Sequence, residues 1–374
     1  MSNPFILQVI PSGHSFANRI LEIKELTSHA INGVNVVLFS PRRYGKTSLA
    51  QQIQADLKKK GFYTIYVDFF LITSVDDVAG RIAKSVYSVL HKHESLLDKG
   101  SRLLKVFKTF RPVLKPSFPE GVTVSVEPVS GGMSGIDLLD KVLGELGQFI
   151  DEESVEVHIV FDEFQEITEV KEPRIEGILR KHIQNHQASY FFVGSRRRIL
   201  LDIFSQRNRP FYQSAIMYSL KPLPREEVVV FLIQQFKSGG KTCPGKIAEA
   251  ISERTFQYPY YVQCLAYNVF EVAGKTVVMK DVDVGFEKMV ASERYGYEST
   301  VQGLTVSQVA FLKALALDPN QKVHTSQFMS RHKLTLGGIQ SSRKKLVHLD
   351  LIEKKDGVWQ IVDPIFGIWL ARYR

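Results

Sequence analysis

The sequence has little cysteine and no long apolar run. Only Cys243 and Cys264 occur in 374 residues, which excludes a disulfide framework and leads us to expect a reducing compartment, the cytoplasm. No apolar stretch approaches the roughly 20 residues of a membrane-spanning helix, so we expect no membrane partner. The first residues lack a basic segment followed by an apolar one, and we therefore expect no signal peptide.

The composition otherwise describes an ordinary globular protein with a basic charge balance. Hydrophobic residues make up 44% of the chain and charged residues 23%. A chain of 374 residues is long enough for two or three domains with substantial cores. The formal charge of +9 favours polyanionic partners, namely nucleotides and nucleic acids.

The most informative segment is residues 40–48, Ser-Pro-Arg-Arg-Tyr-Gly-Lys-Thr-Ser, which directly follows the apolar run 34–39. A buried strand, a tight loop and a helix in this order are the context of the phosphate-loop pattern G-x-x-x-x-G-K-[ST], although Ser40 stands at the first glycine position. In such a loop, the backbone N–H groups turn toward a phosphate at the N-terminus of the following helix. The alternative is a chance Gly-Lys-Thr, and the surrounding strand and helix favour nucleotide binding. The predicted nucleotide-binding residues here are Pro41, Arg42, Arg43, Tyr44, Gly45, Lys46, Thr47 and Ser48.

Two adjacent acids end the third predicted strand, 155–163, which follows a second strand at 61–68. We predict that Asp162 contacts Mg²⁺ opposite the Thr47 hydroxyl, while Lys46 reaches the β- and γ-phosphates. Glu163 would polarise the water that attacks the γ-phosphate. Two neighbouring carboxylates are costly to hold together without a cation, which favours this interpretation. The alternative is an acid pair that simply favours a helix N-terminus.

A fourth strand, 190–195, ends in Ser195 and is followed by Arg196, Arg197 and Arg198. Ser195 is placed where a polar side chain could sense the γ-phosphate. One of the arginines, with Arg196 as our candidate, would stabilise the charge of the transition state. A solvated basic helix start explains the same run equally well. For Arg42 and Arg43 the alternatives are contact with phosphate and pairing with acids on a neighbouring element.

The order of elements predicts three domains. Strands alternate with helices up to residue 222, which indicates a mainly parallel sheet covered on both faces, interrupted by an inserted hairpin within about 95–135. Residues 223–300 would form a small helical domain, with helices predicted over 224–237, 245–253, 258–273 and 281–293. Residues 301–374 read as three short helices and a hairpin with a turn at Asp356-Gly357, which describes a winged helix.

Taken together, these motifs resemble the archaeal-type ATPase family, a group of AAA-like signal-transduction P-loop ATPases related to origin-recognition initiators. The similarity rests on the phosphate loop and on the run Asp162-Glu163-Phe164-Gln165. Further matching segments are Phe16-x-x-Arg19-x-x-Glu22, Gly194-Ser195, Thr255-x-x-x-Pro259 and the terminal Asp363-Pro364-Ile365-Phe366-x-x-Trp369-Leu370.

The resemblance implies an α/β P-loop NTPase core with a helical lid and a C-terminal winged helix, binding ATP with Mg²⁺. It adds Arg19 to the nucleotide-binding residues. Adenine as the base follows from the resemblance alone, and the sequence has no Asn-Lys-x-Asp guanine signature. Gln257 stands where the lid pattern Gly-x-Pro has glycine, which puts the contact between lid and nucleotide in question.

The C-terminal 75 residues hold much of the positive charge, with eleven Lys or Arg against five Asp or Glu. A winged helix places its third helix in the major groove and its wing beside the backbone. Ser341 and Ser342 could also reach phosphates. The alternative is a protein-interaction winged helix with a solvated basic face, and Gly337-Gly338 would read bases poorly. The candidate DNA-contacting residues are Arg343, Lys344, Lys345, Lys354 and Lys355.

The sequence thus predicts an ATP-hydrolysing switch whose nucleotide state, ATP or ADP, positions a basic winged helix for a DNA or protein partner. An oligomer would be compatible with this function. The alternative is a DNA-binding regulator that holds nucleotide as a structural ligand and turns it over negligibly.

Overall fold

A five-stranded parallel sheet forms the centre of the N-terminal region in this computed structural model, which describes residues 2–8, 19–93, 108–117, 121–129, 132–319 and 321–372. The strand order is β2-β5-β6-β1-β7, with every pair of neighbours parallel. All six residues of β5 are buried, as expected for an inner strand covered on both faces. The strands are β1 (Val36–Phe39), β2 (Tyr63–Asp68), β5 (Val157–Asp162), β6 (Ala188–Gly194) and β7 (Ile216–Ser219).

Helices cover both faces of this sheet. Successive residues of β1 point to opposite sides, so that Val36 and Leu38 belong to one apolar cluster and Val37 to the other. The first face is covered by α1 (Ile20–Ile31) and α2 (Lys46–Lys59). The second is covered by α3 (Val75–His93), α4 (Gly135–Glu153), α5 (Ile175–Ile183) and α6 (Arg197–Ser205).

The predicted insertion contains an antiparallel hairpin of β3 (Phe110–Ser117) and β4 (Gly121–Pro128). The hydroxyl of Tyr87 on α3 donates to the carbonyl of Phe110 at 2.6 Å, which ties the base of the hairpin to the core. The first part of the insertion, from residue 94 to residue 107, lies outside the described residues.

Four helices follow the sheet: α7 (Arg225–Ser238), α8 (Gly245–Arg254), α9 (Pro259–Val272) and α10 (Met279–Gln302). Proline at the first position of α9 suits a helix start, because its missing N–H has no partner there. The last helix continues nine residues beyond its predicted end at residue 293. Tyr297 explains the extension, since its ring packs against Phe366 and Trp369 with centroids 5.1 and 5.6 Å apart.

The C-terminal region has the predicted three helices and a hairpin, and a fourth helix that the sequence pattern did not predict. The hairpin turns at Asp356 and Gly357, both with positive φ, as a two-residue hairpin loop requires. Asp363 caps the fourth helix by accepting from the N–H groups of Ile365 and Phe366. The elements are α11 (Val306–Leu317), α12 (Ser326–Arg331), α13 (Leu336–His348), β8 (Ile352–Lys355), β9 (Val358–Ile361) and α14 (Pro364–Arg372).

One apolar cluster runs from the sheet through the helical region into the winged helix, from Leu38 to Leu265 and on to Trp369. Because α10 belongs to both the helical region and this C-terminal packing, the predicted boundaries at residues 222 and 300 stay predictions. Among the described residues, no helix is long and apolar enough to cross a membrane.

Candidate functional site

The phosphate loop lies at the carboxyl end of β1, between β6 and β7, where chain connections leave to opposite faces of the sheet. Such a switch point is the usual place for a ligand in an open parallel sheet. Gly45, at φ +77°, and Arg43, at φ +68°, make the left-handed bends that close the loop. Ser40 keeps a negative φ and is buried, so a serine serves at the position where glycine is usual.

Lys46 begins α2 and folds back across the loop. Its ammonium donates to the carbonyls of Ser40, at 3.1 Å, and Pro41, at 2.9 Å. Burial lowers the pKa of Lys46 to about 8, against the opposite effect of the Glu163 and Asp162 carboxylates. No side chain caps the N-terminus of α2, which therefore presents N–H groups and a buried ammonium on the same side. This combination is suited to a phosphate group.

Asp162 and Thr47 are in direct contact, which places both oxygens at the same point beside the phosphate loop. The Thr47 hydroxyl donates to Asp162 Oδ2 at 2.8 Å, and the Tyr66 hydroxyl donates to the same oxygen. Burial raises the pKa of the Asp162 carboxyl, while its hydrogen bonds lower it. The described residues contain no group of three or more His, Cys, Asp or Glu that could hold a metal. A hard oxygen pair nevertheless suits Mg²⁺, which uses one or two protein ligands with phosphate oxygens and waters.

Glu163 follows Asp162 in a left-handed conformation, at φ +49°. This bend turns its carboxylate toward the end of β6, where the Ser195 hydroxyl lies 3.1 Å from Oε2 and 3.4 Å from Oε1. The Gln165 amide nitrogen donates to Oε2 as well. Ser195 therefore contacts the candidate water-activating carboxylate directly, and both residues line the same pocket as the phosphate loop.

The arginines after Ser195 have different partners. Arg196 pairs with Glu169 at 2.7 Å and lies 3.5 Å from Glu166, both in the short 3₁₀ helix Phe164–Glu169. Arg197 pairs with Asp350 at 3.0 Å and with Glu353 at 2.5 Å, and thus reaches the winged helix. The role of Arg196 as a charge-stabilising arginine stays a prediction, since its guanidinium is engaged by acids of the core.

The two arginines of the phosphate loop, Arg42 and Arg43, also have different surroundings. Arg43 pairs with Glu293 of α10 at 2.5 Å and lies over the ring of Tyr260 at 4.2 Å. Its side chain therefore follows the predicted alternative, pairing with an acid on a neighbouring element. Arg42 is exposed, lines the pocket, and forms no ion pair with any described residue.

Arg19 is the most deeply buried cation at the site, with 1% of its surface exposed. One terminal nitrogen donates to Glu22 at 2.7 Å, whereas the other, Nη2, has no hydrogen-bond partner among the described residues. Burying a guanidinium with an open donor is costly unless an acceptor arrives. The pocket of about 390 Å³ that Arg19 shares with the phosphate loop also includes Ile6, Leu223 and Gln263.

Gln257, which stands where the lid pattern has glycine, fits the backbone of the helical region without distortion. Gln257 adopts φ +55°, the left-handed conformation that glycine would take, and its amide donates to the Ser252 carbonyl at 2.9 Å. Next to it, the Tyr258 ring packs edge-on against Tyr44 of the phosphate loop, with centroids 4.5 Å apart. The contact between this turn and the loop is thus made by aromatic rings.

The basic residues of the winged helix lie on α13 and the hairpin. Arg343 is placed over the Trp359 ring at 5.3 Å, and the other candidates are exposed and form no ion pairs with described residues: Lys344, Lys345, Lys354 and Lys355. The expectation for Ser342 was wrong, because its side chain is buried and lies 3.2 Å from the Ser307 hydroxyl.

Sequence reasoning assigned no role to Tyr66 or Gln165, which hold the two carboxylates. It named Arg197 among three candidate arginines but did not predict its contact with the winged helix. Tyr66 lies one strand away from Asp162, in a register that local patterns do not reveal. Gln165 could have been found, since it lies two residues after Glu163 in the Asp-Glu-Phe-Gln run.

Comparisons with known proteins agree with this architecture. A family model described as a probable winged helix domain matches residues 295–372. No curated protein matches the sequence.

Among solved structures, the chain is similar to a Walker-type ATPase of Pyrococcus abyssi, with a TM-score of 0.70 and 16% identity over 97% of this chain and 99% of that one. The ORC2 protein of Aeropyrum pernix, solved in ADPNP–ADP complexes, gives a TM-score of 0.64 at 14% identity over 98% and 95% of the two chains. Cdc6p of Pyrobaculum aerophilum gives 0.50 at 13% identity over 98% and 97%.

The protein therefore has the fold of an AAA-like P-loop ATPase, with a parallel sheet core, a helical region and a C-terminal winged helix. The fold class and the resemblance to archaeal-type ATPases that the sequence predicted are confirmed at the level of the fold.

Proposed function

We propose that the protein is a Mg²⁺-dependent ATP-binding and ATP-hydrolysing switch whose nucleotide state positions the basic winged helix for a DNA or protein partner. The observation that carries this proposal is the pair of arginine contacts leaving the candidate site. Arg43 of the phosphate loop binds Glu293 of α10, and Arg197, the first residue of α6, binds Asp350 and Glu353 of the winged helix. Arg43 lines the pocket itself and Arg197 lies two residues after Ser195, so a change at the phosphates would have a short route to both connections.

The residues of the site divide into three chemical roles. Lys46 and the N–H groups of the loop would hold the phosphates, while Thr47 and Asp162 would hold Mg²⁺, which neutralises phosphate charge when bound. Glu163 would accept the proton of the attacking water, with Ser195 at its carboxylate.

ATP as the nucleotide is supported by the fold and by the pocket beside Arg19. Apolar and amide groups from Ile6, Leu223 and Gln263 line this pocket together with the phosphate loop. The Aeropyrum ORC2 protein, similar in fold, was solved with ADPNP and ADP. The buried Arg19 with its open Nη2 donor supplies a group that a nucleotide could satisfy.

A connected path leads from the loop to the C-terminus. The Tyr261 hydroxyl lies 3.5 Å from an Arg43 nitrogen and 2.9 Å from the Tyr297 hydroxyl, and it donates to Asp363, the cap of α14. Buried hydrogen-bonded groups of this kind have discrete arrangements, so the path suits a two-state element.

Two variants test the hydrolytic function. Lys46→Ala should abolish ATP binding in a radiolabelled-ATP filter assay, with Lys59→Ala, an exposed lysine at the other end of α2, as the matched control. Glu163→Gln should bind ATP and lose turnover. Unchanged ATP affinity in Lys46→Ala, or full turnover in Glu163→Gln, would contradict the proposed roles.

The alternative function is a DNA-binding regulator with negligible turnover, and the exposed lysines of α13 and the hairpin favour it. ATPase rates with and without duplex DNA separate the two functions. DNA binding that weakens steeply with salt, without measurable hydrolysis, would support the regulator. Hydrolysis without DNA affinity would support a protein-signalling switch.

A further inference from the structure

Gln165 is a buried residue that contacts the candidate water-activating carboxylate. It lies in the 3₁₀ helix that follows β5, and 1% of its surface is exposed. Its amide nitrogen donates to Glu163 Oε2, and the Thr168 hydroxyl donates to its main-chain carbonyl at 2.9 Å, which holds the turn. The side chain is therefore committed to a single polar contact, the carboxylate of Glu163.

The orientation of this amide is fixed by chemistry and by space. An ionised carboxylate only accepts hydrogen bonds, so the amide nitrogen must face Glu163. The amide oxygen then faces the backbone of Gly194 and has no hydrogen-bond partner within the described part of the chain. A Cβ atom at Gly194 would lie 2.0 Å from that oxygen, so only glycine leaves room for the amide here.

The two oxygens of Glu163 are held unequally. Oε2 receives the Gln165 amide and the Ser195 hydroxyl at 3.1 Å, whereas Oε1 has only a long contact of 3.4 Å with Ser195. Fixing one oxygen with two donors orients the carboxylate and leaves the other oxygen available as an acceptor.

We propose that Gln165 is a positioning residue for hydrolysis: it holds Oε2 of Glu163, so that Oε1 is presented to the attacking water. This inference rests on the proposed ATPase function and assigns it a residue that neither touches the nucleotide nor transfers a proton. Gly194 serves the same purpose by leaving space for the amide.

The test compares the catalytic rate with ATP affinity. Gln165→Leu keeps the volume and removes the donor, and Gln165→Asn keeps the amide but is too short to reach Glu163. Because small misplacements of a catalytic group cost up to about 10²-fold in rate, we expect each variant to lower kcat roughly ten- to hundredfold while the Kd for ATP changes less than about twofold. Gln54→Leu is the matched control, since Gln54 is also buried and donates only to the Ile65 carbonyl.

A double-mutant cycle separates positioning from a structural role. If Gln165 acts only through Glu163, then Gln165→Leu should not lower the residual single-turnover rate of Glu163→Gln any further. A further loss there, an equal loss in Gln54→Leu, a parallel loss of ATP affinity, or a wild-type kcat in Gln165→Leu would each overturn the inference. The proposed function fails separately, when the wild-type protein shows no hydrolysis that Glu163→Gln removes, and the inference then fails with it.

Discussion

At the scale of single residues, the site is defined by charges that are buried without complete protein partners. Lys46 is 6% exposed and Arg19 is 1% exposed, whereas most of the other described lysines and arginines are exposed to solvent or form ion pairs with acids. Burying such groups costs stability unless a ligand or partner is gained. We therefore expect Lys46 and Arg19 to stabilise the protein with nucleotide bound more than they stabilise the unliganded folded protein.

Arg19→Met tests this trade-off. Removing a buried guanidinium whose Nη2 has no partner in the described residues should leave the unliganded protein as stable or more stable, because the desolvation cost is removed. The Kd for ATP should rise by about tenfold or more, as expected when a hydrogen bond from a charged group is lost. Urea unfolding with and without ATP measures both effects. A variant that is less stable without ligand yet binds ATP normally would show that Arg19 is only structural.

The residues of the candidate site could be predicted from the sequence, whereas their contacts with distant segments of the chain could not. Gly45, Lys46, Thr47, Asp162 and Glu163 were predicted as one group because their spacing along the chain is itself the signal, and their role as a site stays a prediction. Partners that come from distant segments left no such signal. Arg197 and Asp350 are 153 residues apart, and only the folded chain brings them together.

At the scale of helices and strands, local patterns predicted the buried strands and missed elements that depend on tertiary contacts. The strand β5 is buried throughout and was predicted, whereas α14 and the last turns of α10 exist because Tyr297, Phe366 and Trp369 pack on one another. Besides Asp162 at its end, β5 contains the titratable residue His158, which is fully buried.

His158 should make the stability of the sheet depend on pH. Burial lowers its pKa to about 3 from an ordinary value of 6.5, so between these values the unfolded chain binds the extra proton. Stability should therefore fall as pH falls below 6.5, by about 1.4 kcal/mol per pH unit from this group. His158→Leu should lose about 2 kcal/mol less than the wild type between pH 6.5 and pH 5, as measured by urea unfolding. Equal slopes in the two proteins would contradict a buried neutral imidazole.

At the scale of the whole molecule, the winged helix is joined to the core by polar contacts beside the candidate site and by an apolar cluster farther away. Arg197 makes the polar contact, with its side chain 19% exposed, and Trp369 belongs to the continuous cluster. Such a mixed attachment suits movement, because the ion pairs can be exchanged while the apolar contacts hold the domain.

Arg197→Gln tests the polar attachment. Loss of both carboxylate contacts should free β8, so that amide hydrogen exchange of residues 352–355 becomes roughly tenfold faster. Arg196→Gln is the matched control, because Arg196 pairs with acids of the core only. Equal exchange rates in the two variants would show that Arg197 does not hold the winged helix.

If nucleotide state moves the winged helix, the distance between a spin label on the core and a spin label on the hairpin must change with the bound nucleotide. Lys60→Cys on the core and Lys355→Cys on the hairpin place labels at exposed positions, and both native cysteines, Cys243 and Cys264, are buried. In a Glu163→Gln background, we expect different distance distributions with ATP and with ADP. Adding Lys46→Ala should abolish the response to both nucleotides. Identical distributions with ATP, with ADP and without nucleotide, in protein that binds ATP, would show that the nucleotide does not move the winged helix.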